Sequence, residues 1–355
     1  MSGLGLLREA KFTFRDRSVL LWMILVLCLS SFSVAFGLAD VKQQRSTIQE
    51  LVELDQQDQL AMSDKFKNWG SSAYYRFHLT YDPPSNFAFA AMGQRDAQPW
   101  KHRIRMLALE GQIYERDIDN PVISLIGRFD FAFLAAFLLP LILIMLLYNL
   151  RADERTSGRY ELLEATTGRA STLWISRSVI RAGAVFVCLI LPLCIAGFSA
   201  GTSISQLMSA SLIVLLYTAF WTMVCYLLAA WRKPSSVILM TLLGTWVTLA
   251  VLIPAGARVT INQVVQMPSG ADILLLQRET VNDAWDLPRE VTMNSFFERH
   301  PEWTDYVADT SSFEWPWYYA FQQVGDQKAE PLVNAYREGK LERDRLAGWA
   351  SLLAP

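Results

Sequence analysis

The side chains that most often carry out chemistry in proteins are few and scattered in this chain. The three histidines, His78, His102 and His300, are far apart, so a metal site would need the fold to bring all three together. No H-E-x-x-H motif, paired C-x-x-C motif, G-x-x-x-x-G-K-[ST] phosphate loop or G-x-S-x-G nucleophile elbow occurs. The sequence therefore predicts no catalytic site, and no metal or nucleotide cofactor bound by this chain.

The titratable residues nearest to the apolar stretches stand at their edges. Arg128 and Asp130 lie at the start of one apolar run, and Arg181 lies at the start of the next. In the structural interpretation these residues mark membrane boundaries, and in the functional one Arg128 and Asp130 contact a substrate in an outer vestibule. The centres of the runs contain no Asp, Glu, Lys or Arg, whereas ion-driven carriers usually hold such groups at bilayer depth. The sequence therefore predicts no ion-coupled transport.

Five apolar runs of about 20 residues dominate the chain, and each is long enough to cross a bilayer as a helix. The first run exceeds the roughly 7–15 apolar residues of a cleavable signal peptide. We therefore predict a mainly α membrane protein built as a helical bundle. The predicted spans are residues 18–39, 129–150, 179–200, 207–231 and 236–257.

Basic residues are concentrated in three short segments beside these runs. Residues 1–17, 151–181 and 232–233 together hold 12 of the 32 Lys and Arg residues. Because Lys and Arg are enriched on the cytosolic side of membranes, these segments and the N-terminus are predicted to be cytosolic. Five spans that begin inside end outside, so we expect a sixth span beyond Pro355.

The two large segments between spans, residues 40–128 and 258–355, are then extracytoplasmic. The first carries 11 basic and 12 acidic residues and the second 9 and 15, so neither is a basic surface for nucleic acid. Neither contains cysteine, and all four cysteines lie in the spans, where we interpret them as small buried hydrophobes. Because each segment is small for a stable core of its own, we predict that the two pack together.

Local patterns predict a mixed α/β or mostly α fold for these segments. The first span is expected to continue outward as a helix to a break at Gly70, followed by a strand within Tyr74–Tyr81. Phe87–Met92 is predicted to be a short helix on the membrane surface. In the second segment, helices are predicted over Ala271–Ala284 and Gln327–Leu353.

The loop 151–178 contains a short amphipathic stretch between two glycines. Leu162 and Leu163 lie between Gly158, which permits a sharp entry, and Gly168, which permits a sharp exit. Leucines exposed on the cytosolic side are expected to be covered by another apolar surface. Either they dip into lipid, or they dock a cytosolic protein.

This loop resembles the coupling-helix motif of type-2 ABC exporter permeases, the membrane subunits of ATP-driven transporters. Arg159-Tyr160 and Thr167-Gly168 stand where that family usually has Thr-Leu and Pro-Val. The N-terminal segment 1–17 is similar to the family's interface helix. The resemblance implies that a separate ATPase subunit docks on Glu9, Arg15, Asp16, Glu154, Gly158, Glu161, Leu162, Leu163, Gly168 and Arg169.

The large segments resemble those of a poorly characterised branch of the same family, and the likeness covers nearly the whole chain. The matching positions are Ala73-Tyr74-Tyr75, Pro83-Pro84-Ser85, Ala90–Asp96, Pro99, Asn120-Pro121, Gly127–Phe133, Leu138–Leu141, His300-Pro301-Glu302 and Tyr318-Tyr319-Ala320-x-Gln322. The resemblance implies a bacterial inner-membrane protein that acts with a second copy or a paralogue. It also implies that ATP and Mg are bound by the partner ATPase, and it gives no substrate.

Three functions remain open at the level of sequence. The chain is a permease subunit that moves cargo, a mechanotransmission subunit that moves extracytoplasmic domains against a periplasmic partner, or a motor-free membrane-anchored binding or assembly protein. An ATPase encoded beside it would separate the third from the first two. A continuous path for cargo between two protomers would separate the first from the second.

Overall fold

The protein is a mainly α-helical membrane protein. A computed structural model describes residues 9–93, 100–114, 129–167, 170–307 and 312–353. Five described helices are long and apolar enough to cross a membrane by length and composition, which confirms the predicted helical bundle. They are Arg17–Lys65, Phe131–Thr156, Thr172–Ser199, Ile204–Ala229 and Ser235–Val264, and we number them span helices 1 to 5.

Span helix 1 is a single helix of 49 residues, Arg17–Lys65, and at 1.5 Å per residue it is about 74 Å long. It therefore extends far beyond a bilayer of about 30 Å, as predicted. The predicted break at Gly70 was wrong. The helix already ends at Lys65, and Gly70 lies inside the next helix, Trp69–Tyr75, where the Asn68 side chain accepts hydrogen bonds from the first backbone N–H groups.

Span helices 2 and 5 each contain a π-helical turn shortly before a proline. Leu134–Leu138 precedes Pro140, and Thr248–Leu252 precedes Pro254. Proline has no N–H to donate to the carbonyl four residues earlier. At Pro140 that carbonyl belongs to Ala136, and it accepts a hydrogen bond of 2.8 Å from the Tyr217 hydroxyl of span helix 4 instead. The irregular turn is thus stabilised by a neighbouring helix.

Close backbone approaches hold the bundle together. Ser30 of span helix 1 donates a hydrogen bond of 2.7 Å to the Leu189 carbonyl of span helix 3. A Cβ on Gly37 would lie 2.1 Å from the Phe89 carbonyl oxygen. The predicted surface helix at Phe87–Met92 is instead a 3-10 turn, Ala88–Ala90, with Phe89 fully buried against the bundle. Burying the Phe89 ring in the bundle is more favourable than leaving it at the lipid surface.

Span helix 3 begins earlier than predicted. The whole helix that contains span helix 3 runs Ala170–Ser199, so the final part of the predicted loop 151–178 is helical. Span helix 4 is Ile204–Ala229, where the sequence predicts a span over residues 207–231. Span helix 5, Ser235–Val264, continues past the predicted end at residue 257.

The two large segments form one packed unit at one end of the bundle, which we call the domain end. Strands Phe77–Tyr81 and Lys101–Arg105 pair antiparallel, with Phe77 opposite Arg105, and the short helix Leu109–Tyr114 follows. We call Leu109–Tyr114 the junction helix, because it packs on two helices of the second segment.

The second segment consists of the helices Gly270–Asp286, Arg289–Phe297 and Trp315–Ala350. The first of these confirms the helix predicted over 271–284, and Ser269 and Asp272 form a capping box at its start. The last begins twelve residues before the predicted Gln327, because the aromatic block at its start packs as a helix with Pro316 in its first turn. We call Trp315–Ala350 the long domain helix.

Aromatic side chains join the two segments, which confirms that they pack together. The Tyr74 ring lies 5.9 Å from Trp315 and 5.7 Å from Tyr318, and the Trp69 ring lies 5.8 Å from Tyr319. A Cβ on Gly70 would lie 2.0 Å from Cγ of Trp315, so the contact requires glycine at this position. The packed core of the domain end therefore draws on both segments.

Candidate functional site

The charged turn lies at the end of the bundle opposite the domain end, and we call this the basic end. The turn forms two short helices, which meet at Gly158: Ala152–Thr156, the last helical segment of span helix 2, and Tyr160–Thr167. Gly158 has φ = +70°, a conformation that strongly favours glycine. The reversal is closed by a hydrogen bond of 3.0 Å from the Arg159 N–H to the Glu154 carbonyl. The sequence therefore requires glycine here because the two helices meet at a sharp angle.

A buried ion cluster joins the turn to the N-terminal segment and to span helix 3. Arg177 Nε donates to Glu9 at 2.9 Å, and its Nη1 donates to Glu154 at 3.3 Å. The exposed fractions of these side chains are 15% for Arg177, 9% for Glu9 and 19% for Glu154. Arg159 Nε lies 3.0 Å from the other oxygen of Glu154. One guanidinium therefore bridges two elements whose carboxylates are otherwise far apart in sequence.

A second ionic contact lies one helical turn along span helix 3. Asp16 caps span helix 1 by accepting hydrogen bonds from the Ser18 N–H and hydroxyl at 3.0 and 2.9 Å. Its other oxygen lies 3.7 Å from Nη2 of Arg181. Nη1 of Arg181 donates to the Leu146 carbonyl at 2.9 Å. Arg15, beside Asp16, is exposed. Glu9 and Asp16 thus face a pair of arginines spaced four residues apart.

Aromatic rings and two further arginines hold the turn against the ends of span helices 3 and 4. Arg151 is buried, with its guanidinium 4.4 Å from the Tyr226 ring and 5.9 Å from the Trp174 ring. Tyr160 stacks on Trp174 at 5.6 Å with the ring planes 7° apart. These contacts make the base of the second short helix part of the bundle.

Arg155 continues this clamp toward the turn between span helices 4 and 5. Its guanidinium lies 4.9 Å from the Tyr160 ring and donates to the carbonyls of Ala230 and Trp231. The turn is therefore bonded to the N-terminal segment and to the ends of span helices 3 and 4.

The second short helix presents its apolar side away from this base. Leu162 is 65% exposed, Glu161 is exposed and Leu163 is half-buried. The two leucines are adjacent in the helix and so differ by about 100° in direction, which explains their different burial. Gly168 and Arg169, also predicted for docking, lie outside the described residues.

Sequence reasoning missed the arginine and aromatic residues that anchor the turn. It used Arg177 only to assign a membrane side and Arg181 also to mark a membrane boundary, although their spacing of four residues places them on one helix face. It used Arg151 in the same way to assign a membrane side, and nothing local pairs that residue with Tyr226. The missed residues are Arg151, Arg155, Tyr160, Trp174, Arg177 and Tyr226.

Asp130, the predicted vestibule residue, lies near the domain end and is buried. One carboxylate oxygen accepts from the Phe133 N–H at 2.8 Å and caps span helix 2, and the other accepts from the Gly93 N–H at 2.9 Å. These bonds tie the first large segment to the start of the span. Arg128, predicted to act beside it, lies outside the described residues.

Comparison with known proteins reaches only the domain end. Residues 272–355 match the family model of a domain of unknown function, DUF3526. This range begins within the helix Gly270–Asp286 and includes the long domain helix. No curated protein and no solved structure matches the chain. The second large segment is therefore the part of the chain that is similar to a described family.

Proposed function

We propose that the protein is the membrane subunit of an ATP-driven transporter of the ABC type, and that the basic end docks a separate ATPase subunit. The observation that carries this proposal is the exposed Leu162 on a short helix whose base is bonded rigidly to the bundle. An exposed leucine beside the acidic Glu161 offers a docking knob. The buried ion cluster and the aromatic clamp provide the connection through which motion of the knob reaches the spans.

The direction of this coupling follows from the distribution of charge. The basic end carries arginines on the N-terminal segment, on the turn and on span helix 3, which is the pattern of a cytosolic face. ATP is a cytosolic fuel, so its ATPase subunit meets this face. The large segments are then extracytoplasmic, as expected for a bacterial inner-membrane protein. ATP and Mg bind to the partner and not to this chain.

A dimeric arrangement is consistent with the exposure of span helix 5. Only 11% of its most apolar window is buried within this chain, the smallest share among the five span helices. The exposed side accommodates membrane lipid or the flank of a second copy or paralogous permease. Two permease subunits acting on two ATPase subunits would place one docking turn on each ATPase.

Mechanotransmission without cargo is a second candidate function, favoured by the continuity of span helix 1. This helix runs unbroken from Arg17 beside the ion cluster to Lys65 beside the domain end. A tilt imposed at one end of a continuous helix displaces its other end. A periplasmic partner on the large segments would receive that displacement. The same docking turn serves both candidates.

The docking proposal is tested by purifying the chain from its native membranes, identifying any associated ABC-type ATPase, and measuring ATP hydrolysis by the complex. Glu161→Arg combined with Leu162→Asp should leave membrane insertion intact but reduce co-purification and permease-dependent hydrolysis at least tenfold. Leu341→Asp is the matched control, because Leu341 is 70% exposed on the long domain helix, far from the turn.

Three results would contradict the proposal. Unchanged hydrolysis in the double variant would remove the turn from the docking surface. Absence of any associated ATPase would favour the motor-free binding or assembly protein. Transport driven by a proton or sodium gradient with a non-hydrolysing ATPase would identify a secondary carrier instead.

A further inference from the structure

A cavity of about 730 Å³ opens between the two large segments at the domain end. Its walls come from the helix Trp69–Tyr75, the chain at Met106–Glu110 and the long domain helix, with Arg299 at one side. This volume falls in the range of about 300–1,000 Å³ that is typical of small-molecule sites. Since both segments line it, a ligand here would touch both at once.

Most charges in the wall are already paired. Arg337 donates to Glu110 at 2.9 Å, and Arg299 lies 2.5 Å from Glu330. Each pair places a guanidinium beside a carboxylate and contributes no net charge. These four residues therefore do not select the sign of a ligand.

Asp326 has no cation beside it among the described residues. Its two oxygens accept from the backbone N–H groups of Leu109 and Glu110, at 2.7 and 3.3 Å, at the start of the junction helix. Burial raises the pKa of Asp326 to about 6, and the two backbone hydrogen bonds only partly oppose that effect. The two backbone N–H groups therefore offset only part of the cost of burying the negative charge of Asp326. A positively charged ligand beside this carboxylate would offset the rest.

Aromatic faces stand at the same cavity. Trp69 is 58% exposed, and its ring lies 5.8 Å from that of Tyr319. The Tyr319 hydroxyl donates to the Gly70 carbonyl at 2.9 Å, so its polar group is already satisfied. What the two residues offer to a ligand is ring surface, which attracts cations and apolar groups.

We propose that this cavity binds a small organic cation, with its ammonium group against Asp326 and its apolar part along Trp69 and Tyr319. A divalent metal ion fits poorly, because Ca²⁺ takes about 6–8 oxygen ligands and, of the carboxylates described in the cavity wall, one is unpaired. An organic ammonium needs one counter-charge and an aromatic surface, and the cavity offers both. This inference does not depend on the docking proposal.

The proposal is tested on the full chain in nanodiscs of phosphatidylglycerol, a lipid whose headgroup is not a cation. Choline and benzyltrimethylammonium are titrated against 3,3-dimethylbutan-1-ol, the neutral isostere of choline, with calorimetry as the readout. At least one of the cations should bind saturably at pH 7.5, and at least tenfold more tightly than the neutral alcohol. Binding of the alcohol as tightly as choline would overturn the proposal, as would no saturable binding of either cation.

Three variants locate the site. Asp326→Asn should weaken binding of the cation at least tenfold, while Asp344→Asn, an exposed aspartate on the same helix, should leave it unchanged. Trp69→Leu changes an exposed side chain and should weaken binding several-fold without unfolding the protein. Wild-type affinity in either Asp326→Asn or Trp69→Leu would overturn the assignment.

Discussion

Arg177 is the residue on which the basic end depends most. It holds two largely buried carboxylates, Glu9 and Glu154, that belong to different elements. Removing the cation from a buried ion cluster leaves its carboxylates without a counter-charge, which is far more costly than losing an exposed pair. Arg177 therefore contributes to stability and to the connection between the N-terminal segment and the turn.

Arg177→Leu is expected to lower the free energy of unfolding by on the order of 3 kcal/mol, because Glu9 and Glu154 stay largely buried after each has lost the guanidinium that they share. Thermal denaturation in detergent measures this as a lower melting temperature. Arg232→Leu is the control, since Arg232 is an exposed arginine at the same end of the bundle. Equal melting temperatures for the two variants would show that the cluster contributes no more than a surface charge.

Asp326 makes the stability of the domain end depend on pH. Its folded pKa, about 6, lies above its ordinary value of 3.8, so the folded protein binds the proton more tightly than the unfolded chain. The stabilisation from this group is fully present below pH 3.8 and is lost as pH rises through about 6. The other charged or titratable groups in the wall of the same cavity are Glu110, Glu330, Arg299, Arg337 and Tyr319, with His300 beyond Gln323.

The contribution of Asp326 is therefore expected to give the unliganded protein a higher melting temperature at pH 5 than at pH 7.5. Asp326→Asn should flatten the difference, because an amide cannot titrate. Comparing the variant with wild type at both pH values separates Asp326 from His300, which stays in place in both proteins. An unchanged difference between the two pH values in the variant would contradict the assignment to Asp326.

At the scale of elements, the two short helices of the turn are oriented by one backbone conformation. Gly158 has φ = +70°, and no heavy atom would lie within 4 Å of an added Cβ. The requirement for glycine there is thus conformational and not steric crowding. A side chain at Gly158 would act by changing the angle between the helices Ala152–Thr156 and Tyr160–Thr167.

Gly158→Ala is expected to cost roughly 1–2 kcal/mol, the cost of the left-handed conformation for a residue with a Cβ. The variant should show weaker coupling to the ATPase with little loss of protein from the membrane. Gly183→Ala is the control, because Gly183 lies within span helix 3 and also has open space around it. ATPase coupling in Gly158→Ala equal to that of the control would indicate that the angle of the turn is unimportant.

At the scale of the whole molecule, the two large segments are separated in sequence by four spans and meet through a small set of close contacts. Gly70 is buried directly against Trp315, and Gln322 of the long domain helix accepts from the Ala108 N–H at 3.3 Å. The cavity lies between these contacts. The junction therefore sets both the packing of the domain end and the shape of the cavity.

Gly70→Ala is expected to weaken this junction by about 1–3 kcal/mol, since a Cβ 2.0 Å from Trp315 forces the helices apart. Limited proteolysis should then cut faster at Lys65 and Lys67, which adjoin the junction. Gly244→Ala in span helix 5, where nothing lies within 4 Å of the new Cβ, should leave the cleavage rate unchanged. A wild-type cleavage rate in Gly70→Ala would show that the contact tolerates a methyl group.

Local patterns in the sequence determined the five membrane helices, the continuation of span helix 1 beyond the bilayer and the helix Gly270–Asp286. They also pointed to Gly158 as the entry to a short helix. Apolar length and helical periodicity are properties of neighbouring residues, so they can be read before the chain is folded. The residues at which helices begin and end were predicted less well, because the burial of Phe89 and the aromatic packing at Trp315 depend on residues distant in sequence.

Only the tertiary structure decided which charges meet. Glu9 and Arg177 are 168 residues apart, and Asp326 and Leu109 are 217 residues apart, yet each pair is bonded. No local pattern encodes such pairings, because they depend on how helices far apart in sequence pack side by side. Among the residues that the structure describes, the same packing places no cation beside Asp326, while its charged neighbours are paired. The ion cluster and the cavity exist only in the folded protein, because each is formed by residues far apart in sequence. The residues that dock a partner and the substrate remain predictions.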